Sequence, residues 1–471
     1  MTYTPTEHQE IKIAEALHIL ENNNRLAFIG SAGVGKTFVL EELVKRLQGT
    51  RHTKKGVICS APTHKALKVL KDKVQIKVTF QTIHSVLRYQ KFTDNATGNT
   101  SFRPNIDEKY PPLQNISLLL IDEASMIPLE MLMYLERYAK NCTIIFVGDD
   151  KQINPVGEEE SPVFWGKPKM FDTYEEASGY SYNSNPINNF IDGIYCPQYE
   201  KYYVGFEPYP VVELTEIVRQ GPGNPIIPLS RNIKAIWEYT KRVTPEGKGF
   251  LYTVNEAKII EELAQVNGTD DFKYLAWTNA EVDRINTLVR QRLYGANPAK
   301  IEPEETIVFD SPYGDYVTNQ ELKVEKLAID NVLFKVPLED KHNFVTRDVI
   351  LKVYIINGYK SDDWGDGEET WKGIFVVHED SEKTLKQVTY NMYDNCKKKL
   401  LNFTTRNNFL ENFAQFKYNH AISVHKSQGS TYKNVILNVR NLNANPSAKE
   451  KQRLFYTGIT RASDLLILYN V

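Results

Sequence analysis

The segment GSAGVGKT at residues 30–37 constrains the fold of this chain more than any other feature. It fits the pattern G-x-x-x-x-G-K-[ST], whose fixed positions are occupied by Gly30, Gly35, Lys36 and Thr37. A short apolar run precedes the segment and helical spacing follows it, so the sequence predicts a strand, a glycine loop and a helix. Such a loop brings backbone N–H groups and the positive end of a helix around a phosphate. We therefore expect a nucleoside triphosphate site here rather than a glycine-rich turn that binds nothing.

Composition indicates a globular protein of several domains. The chain has 471 residues, of which 41% are hydrophobic and 25% charged, and this length corresponds to about three domains. It contains no apolar run long enough to span a bilayer, its first ten residues are too polar for a signal peptide, and its four cysteines lack C-x-x-C spacing. We expect a cytoplasmic protein without a membrane partner. Because the net charge is only −2, any attraction to nucleic acid must come from a local groove of lysines, arginines and backbone donors.

Short apolar strands alternate with helical stretches around the glycine loop, which is the pattern of a parallel sheet buried on both faces. The predicted fold class is α/β. We expect a first α/β domain at 1–156, with a protruding hairpin at 88–115. An irregular tyrosine-rich insertion is expected at 157–210. A second α/β domain is expected in two parts, 211–304 and 396–471, with a small β module at 305–395 inserted between them.

An acidic pair and an amide follow the next predicted strands. Asp122 and Glu123 end an apolar strand, so they reach the carboxyl edge of the sheet, where ligands bind. Asp122 is suited to hold Mg²⁺, and Glu123 is suited to orient or deprotonate a water molecule. The alternative is a pair of acids that caps the next helix. That alternative accounts less well for an Asp-Glu pair at the end of an apolar strand downstream of a phosphate loop. Gln152, in GDDKQINPV, stands where an amide can sense a γ-phosphate, although this segment alone is also typical of a polar turn. Arg219 and Arg461 are candidates to stabilise the charge of the transferred phosphoryl group.

Taken in order, these segments resemble the motifs of superfamily 1 helicases. The motifs are GSAGVGKT, APTHKA, QTIHS, LIDEAS, GDDKQINPV, ELTEIVRQ, AWTNAEVDRIN, HAISVHKSQGST and LFYTGITRA. The form of GDDKQINPV, together with APTHKA and VHKSQG, is similar to the RecD-like branch, superfamily 1B, and to the phage Dda helicases within it. The resemblance covers nearly the whole chain. It implies two RecA-like domains that sandwich ATP and Mg²⁺, and an ATP-dependent DNA helicase that moves 5′→3′ on single-stranded DNA.

The resemblance also implies roles for residues around the nucleotide. Gln9 would read the adenine, although Thr6-x-x-Gln9 is also a helix capping box. Glu123 would be the catalytic base, Gln152 the γ-phosphate sensor, and Arg219 and Arg461 the arginine fingers. The residues implied to surround the phosphates and the metal are Gly30, Gly33, Gly35, Lys36, Thr37 and Asp122, with Thr37 and Asp122 as metal ligands.

On the nucleic-acid side, the implied contacts are hydroxyl, amide, imidazole and ammonium groups, which suit phosphate contacts that carry no sequence information. They are Thr63, His64, Lys65, Thr82, His84, Ser85, Thr278, Asn279, His425, Lys426 and Ser430. The hairpin at 88–115 corresponds to a strand-separating pin with Phe102 at its tip, or Phe102 is an ordinary packed aromatic. The β module at 305–395 corresponds to an SH3-like insertion, whereas 157–210 is longer than its counterpart in Dda-like proteins.

Alternative functions remain open on sequence alone. An RNA-directed helicase is one, because phosphate contacts do not distinguish the two sugars. A P-loop ATPase that remodels protein complexes is another, and a non-enzymatic DNA-binding remnant is a third, against which the intact Lys36, Glu123 and Arg461 argue. For the helicase, the expected partners are single-stranded DNA, fork DNA, and replication or repair proteins. We expect a monomer, which would act in the host cytoplasm if a phage encodes it.

Overall fold

The computed structural model describes residues 4–105, 112–155, 158, 160–171, 194–196, 201–216, 224–238, 241–266, 272–340, 345–362 and 369–471. Within these residues, two six-stranded sheets flanked by helices form the two main bodies of an α/β fold, which confirms the predicted fold class. Among the same residues, no helix combines the length and the apolar character needed to cross a membrane.

The first sheet is parallel throughout and has the order β11-β1-β7-β6-β2-β3. Its central strands are apolar at nearly every position because helices cover both faces. We call this sheet with its helices the first domain. Its strands are Arg25–Gly30 (β1), Gly56–Ala61 (β2), Thr79–Thr82 (β3), Ile116–Ile121 (β6), Thr143–Gly148 (β7) and Val211–Leu214 (β11), and its helices are Glu7–Asn22 (α1), Lys36–Leu47 (α2), His64–Lys73 (α3), Ile83–Val86 (α4) and Leu129–Tyr138 (α5).

The edge strand β11 corrects the expected start of the second domain at residue 211. Val212 and Leu214 are fully buried, and β11 pairs in parallel with β1 in the first sheet. The expectation that 157–210 is irregular is wrong in part, because Lys167–Phe171 (β8), Ile194–Cys196 (β9) and Lys201–Glu207 (β10) form an antiparallel sheet. β9 has only three residues, and the sequence KYYVGFE of β10 does not alternate strictly between apolar and polar residues, so periodicity did not reveal these strands.

A buried ion pair fixes the amino end of β1. Arg25 makes two hydrogen bonds to the Glu136 carboxylate, of 2.8 and 3.0 Å, and the Tyr209 hydroxyl donates to the same carboxylate at 2.7 Å. All three residues are less than 9% exposed. The network satisfies charges that would be costly to bury alone.

We expect Glu136→Gln to lower the free energy of unfolding by about 3–5 kcal/mol, because it leaves the Arg25 charge buried without its partner. The control is Glu261→Gln, which breaks the exposed Arg292–Glu261 pair and should cost about 1 kcal/mol or less. Urea-induced unfolding of the two variants measures both values. Equal losses would contradict a stabilising role for the buried network.

The second sheet has the order β12-β13-β23-β22-β14-β21 and is parallel except for β12. With its helices it forms the second domain. The strands are Arg242–Val243 (β12), Gly249–Thr253 (β13), Phe272–Ala276 (β14), Ala421–Ser423 (β21), Tyr432–Asn438 (β22) and Ala462–Tyr469 (β23); the helices are Ile226–Arg231 (α6), Glu256–Val266 (α7), Asn279–Tyr294 (α8), Val439–Asn443 (α11) and Ala448–Thr460 (α12).

Between α8 and β21 the chain forms an inserted module of two small antiparallel sheets, β16-β15-β20 and β17-β18-β19. The expected β module at 305–395 also includes a long helix at 379–397, and its last strand, at 416–418, pairs with β15 beyond the expected range. The elements are Thr306–Phe309 (β15), Glu321–Lys323 (β16), Leu327–Glu339 (β17), Val345–Asp362 (β18), Glu369–Val377 (β19), Glu379–Lys397 (α9), Phe403–Leu410 (α10) and Phe416–Tyr418 (β20).

A two-stranded hairpin, Tyr89–Thr93 (β4) and Thr100–Pro104 (β5), leaves the first domain and reaches α10 of the inserted module. Asn95 accepts hydrogen bonds from the backbone N–H and the hydroxyl of Thr404, at 3.4 and 3.2 Å. Phe102 is 56% exposed but pairs with Lys91 along the strands, so its predicted place at the tip is wrong. The tip is the turn between the strands, where the sequence has Asn-x-x-Gly.

Candidate active site and nucleic-acid interface

Three neighbouring strands of the first sheet place the nucleotide motifs side by side. β1, β7 and β6 are adjacent and parallel, so their carboxyl ends lie at one edge. The phosphate loop (residues 30–37) follows β1, the acidic pair Asp122 and Glu123 follows β6, and the sensor loop (residues 149–153) follows β7. The topology thus brings the phosphate loop together with groups that lie at least 85 residues further along the chain.

The phosphate loop has the backbone that its glycines predict. Gly33 and Gly35 adopt the left-handed φ values of 89° and 81°, which glycine reaches without steric cost. Gly35 is the N-cap of α2, so the positive end of that helix faces the loop. The Lys36 ammonium lies on the same loop and donates to the carbonyls of Gly30 at 2.7 Å and Ser31 at 3.2 Å.

Gln9 packs behind this loop and is 3% exposed. The capping box expected at the start of α1 is present, since Gln9 and Thr6 exchange hydrogen bonds. The Gln9 amide also donates to the Val34 carbonyl at 3.2 Å, and a Cβ on Gly35 would lie 2.7 Å from its Nε2. Gln9 therefore contacts the phosphate loop directly, in addition to capping its own helix.

The acidic pair is held by the neighbouring strand and by its own backbone. The Asp122 N–H donates to the Ser60 carbonyl at 2.9 Å, and the Asp122 carboxylate accepts from the Glu123 N–H at 2.9 Å. Glu123 has φ 52° and ψ 42°, a left-handed conformation that is unfavourable for a side chain of this size. Such strain is concentrated at functional sites, where the surrounding structure imposes it.

Both carboxyl groups sit in surroundings that favour their neutral forms. Removal from bulk water raises the pKa of Asp122, and the nearby Lys36 charge opposes this rise. Removal from water and the Asp122 charge raise the pKa of Glu123, whereas Arg461 and Lys36 act in the opposite direction. Arg461 belongs to the second domain, so a positive charge of that domain acts on the pKa of Glu123.

The sensor loop presents an amide to the same edge. Gln152 is 2% exposed, and its Nε2 donates to the Asp149 carboxylate at 3.5 Å. Its Oε1 makes no hydrogen bond with any residue that the structure describes, and the same holds for the buried hydroxyls of Ser60 and Ser125. Buried polar oxygens are costly without a partner, so these atoms favour a polar ligand at this edge.

The oxygen donors here also suit a hard divalent cation. Thr37 lies in the first turn of α2 and Asp122 at the end of β6, and hydroxyl and carboxylate oxygens are ligands that Mg²⁺ accepts. With the orphaned oxygens of Ser60 and Gln152 nearby, the residues fit a magnesium-bound triphosphate.

Of the two predicted arginine fingers, the structure describes one. Arg461 is the C-cap of α12, is 4% exposed, and donates to the carbonyls of Ser430 at 3.0 Å and Thr457 at 3.2 Å. Arg219 lies outside the described residues.

The predicted nucleic-acid residues follow β2 and β3 in the first sheet and β14 and β21 in the second. The three threonines among them, Thr63, Thr82 and Thr278, are N-caps whose hydroxyls accept backbone N–H groups at 3.2–3.4 Å. They therefore fix the start of the helices that follow.

The other predicted residues differ in exposure. In the first domain His64, His84 and Ser85 are exposed. In the second domain Asn279 is exposed, His425 and Lys426 are half-buried, and Ser430 is buried.

Lysines from both domains and from the module meet in one cleft. Lys65 of the first domain, Asn279 and Lys426 of the second, and Lys417 of the module line it. Lys65 donates to the Tyr432 hydroxyl at 3.2 Å, and its pairing with Glu321 links it to the module. The sequence motifs did not reveal Lys417, which lies on strand β20 of the module, or Tyr432, which meets Lys65 only where the two domains pack together.

At Gly429 the backbone of the second domain packs closely against helix α3 of the first. Gly429 has φ 73°, and a Cβ built on it would lie 2.8 Å from the Ala66 Cβ of α3. We expect Gly429→Ala to push the domains apart and to weaken single-stranded DNA binding about tenfold, the effect of ~1.4 kcal/mol.

Fluorescence anisotropy with a labelled oligonucleotide measures this affinity. Gly247→Ala is the matched control, since Gly247 has φ 79° but no atom within 4 Å of the added Cβ. The control carries the backbone strain without the clash, so it should bind as the unmodified chain does. Equal affinities in both variants would contradict the proposed contact.

Two known families match parts of the chain. A family described as an AAA domain matches residues 14–158, and one described as a UvrD-like helicase C-terminal domain matches residues 418–469. The first match spans the phosphate loop and the sensor loop. The second contains the candidate residues His425, Lys426, Ser430 and Arg461, whereas Thr278 and Asn279 lie outside it.

Similar proteins extend these matches over the whole chain. The ATP-dependent DNA helicase Dda of Enterobacteria phage T4 is 24% identical over 94% of this chain and 94% of its own length. The RecBCD enzyme subunit RecD of Buchnera aphidicola from Acyrthosiphon pisum is 24% identical over 98% of this chain and 71% of its own. A Pif1 helicase from Bacteroides, solved with ADP-AlF3 and ssDNA, is 17% identical over 100% of this chain and 93% of its own, with a TM-score of 0.48.

Proposed function

Since the chain belongs to superfamily 1B, the RecD-like helicases, we propose that it is an ATP-driven DNA helicase that moves along single-stranded DNA and separates duplex strands. The observation that carries this proposal is the meeting of the phosphate loop, the acidic pair and the sensor loop at one sheet edge, opposite Arg461 of the second domain. A nucleotide bound there would contact both domains. Its hydrolysis can therefore change how they sit against each other.

In this proposal each residue at the sheet edge has a distinct task in hydrolysis. The backbone N–H groups of the phosphate loop and the Lys36 ammonium bind the phosphates. Glu123 orients the attacking water and accepts its proton, and Gln152 contacts the γ-phosphate. Thr37 and Asp122 would hold Mg²⁺, which offsets phosphate charge when bound.

Residues on either side of this edge complete the proposed site. Gln9, which touches the loop from behind, contacts the adenine. Arg461, and Arg219 with it, stabilise the charge that develops on the transferred group.

Domain closure is the step that links this chemistry to DNA. ATP favours the closed arrangement because it contacts Lys36 on one domain and Arg461 on the other, and the products favour it less. The side of the cleft with Lys65 and the side with Lys426 then bind the phosphodiester chain alternately. The hairpin β4–β5, braced by α10, serves as the strand-separating pin in this proposal.

Stimulation of ATP hydrolysis by matched DNA and RNA oligonucleotides tests whether the protein acts on DNA or on RNA. We expect strong stimulation by single-stranded DNA and weak stimulation by RNA of the same sequence. Equal or stronger stimulation by RNA would favour the RNA-directed alternative, and hydrolysis indifferent to both would favour an ATPase that acts on protein complexes.

Duplexes with a single tail test the direction. We propose 5′→3′ movement, so a duplex with only a 5′ tail should be unwound and one with only a 3′ tail should not. Activity confined to the 3′-tailed duplex would contradict the direction while leaving the helicase assignment intact.

We also propose that the protein acts as a monomer in the cytoplasm, with replication or repair proteins as partners at DNA forks. One chain contains both sides of the nucleotide cleft, so no second copy is needed to complete the site. Sedimentation of the complex with a short oligonucleotide tests this stoichiometry, and two chains on a site-sized oligonucleotide would contradict it.

A further inference from the structure

Helix α12 of the second domain holds the backbone of the sensor loop in the first. The Arg453 guanidinium donates to the carbonyls of Asp150 at 2.7 Å and Gln152 at 2.8 Å. One turn further along, the Thr457 hydroxyl accepts from the Ile153 N–H at 3.3 Å. The loop that carries the amide sensor is thus positioned by a helix of the opposite domain.

Tyr456 lies on the same face of α12 and reaches two loops at once. Its hydroxyl donates to the Asp149 carboxylate at 2.7 Å and accepts from the Ala32 N–H of the phosphate loop at 3.2 Å. Tyr456 is 5% exposed and Asp149 0% exposed. Burial and the Asp149 charge raise the pKa of Tyr456, so the hydroxyl keeps its proton and remains a donor.

The hydroxyl of Tyr456 makes the shortest of the hydrogen bonds that the buried Asp149 carboxylate receives. The others come from the Lys151 N–H at 3.1 Å and the Gln152 amide at 3.5 Å. A hydrogen bond to an ionised group is short and strong when it is well aligned. Tyr456 therefore fixes Asp149, and Asp149 in turn is the partner of the Gln152 side chain.

We infer that Tyr456 is a positioning residue for ATP hydrolysis, which sets the spacing between α12 and the two phosphate-facing loops. Arg461 follows Tyr456 by five residues on the same helix and Gln152 lies on the tethered loop, so one hydroxyl aligns both with the γ-phosphate. This inference rests on the function proposed above. Tyr456 acts through Asp149 and Ala32.

Tyr456→Phe tests the inference because it removes one oxygen atom and keeps the ring. We expect kcat for DNA-stimulated hydrolysis to fall about tenfold or more, with little change in the KM for ATP. Tyr209→Phe is the matched control: it removes a hydroxyl that donates to a buried carboxylate, Glu136, also at 2.7 Å. Tyr209 lies near the opposite end of β1, so its loss should lower stability and leave kcat unchanged.

Hydrogen exchange of the Ala32 amide gives a readout that does not depend on activity. This amide should exchange faster in Tyr456→Phe than in the unmodified chain, and at the unmodified rate in Tyr209→Phe. An unchanged kcat or an unchanged Ala32 exchange rate in Tyr456→Phe would overturn the inference. An unmodified chain that hydrolyses no ATP would instead overturn the proposed function, and the exchange rates would still decide whether Tyr456 links the loops.

Discussion

Glu123→Gln is expected to lower DNA-stimulated ATP hydrolysis by about 10²–10⁴-fold, because glutamine cannot accept the proton of the attacking water. Lys36→Ala should also abolish turnover, since it removes the ammonium that lies on the phosphate loop. Neither residue lines the lysine cleft. Single-stranded DNA binding should therefore remain measurable in both variants.

Phosphate release and fluorescence anisotropy measure the two properties separately. Glu21→Gln, which alters an exposed carboxylate near the end of α1, is the control and should match the unmodified chain in both. Normal turnover in Glu123→Gln or Lys36→Ala would mean that hydrolysis takes place elsewhere.

The second large effect is expected at Arg461. Arg461→Lys keeps the positive charge but removes the planar fork of donors, and the loss of an arginine finger lowers kcat by about 10³–10⁵-fold. Because Arg461 also holds the carbonyl of Ser430 at 3.0 Å, thermal unfolding must accompany the kinetics. Arg440→Lys, at an exposed position, is the control.

We expect Arg461→Lys to bind ATP and DNA and to unfold near the temperature of the unmodified chain. A fall in kcat of less than tenfold in a folded Arg461→Lys variant would exclude a direct role in stabilising the transferred phosphoryl group.

Local patterns predicted where the nucleotide motifs lie, because each of them follows a strand whose end is set by the sheet. The glycines of the phosphate loop, the acids after β6 and the amide after β7 need only a parallel sheet to converge. The tip of the hairpin was also readable, since the Asn-x-x-Gly segment marks the turn better than the aromatic Phe102 does.

Other features depend on packing that no local pattern reports. Three of the four residues of β11 are apolar, and their sequence does not indicate whether they pair with β1 or with the second sheet. Tyr456 has the same limitation: in LFYTGITRA an aromatic between apolar residues is typical of a core position. Only the fold brings its hydroxyl to Asp149 and Ala32.

Strand displacement from a forked duplex tests the central claim most directly, that ATP hydrolysis between the two domains drives DNA unwinding. The unmodified chain should displace a labelled strand with ATP, and should fail to do so with a non-hydrolysable analogue or with the Lys36→Ala substitution. No displacement by the unmodified chain from a fork with two tails, or equal displacement without hydrolysis, would contradict the account.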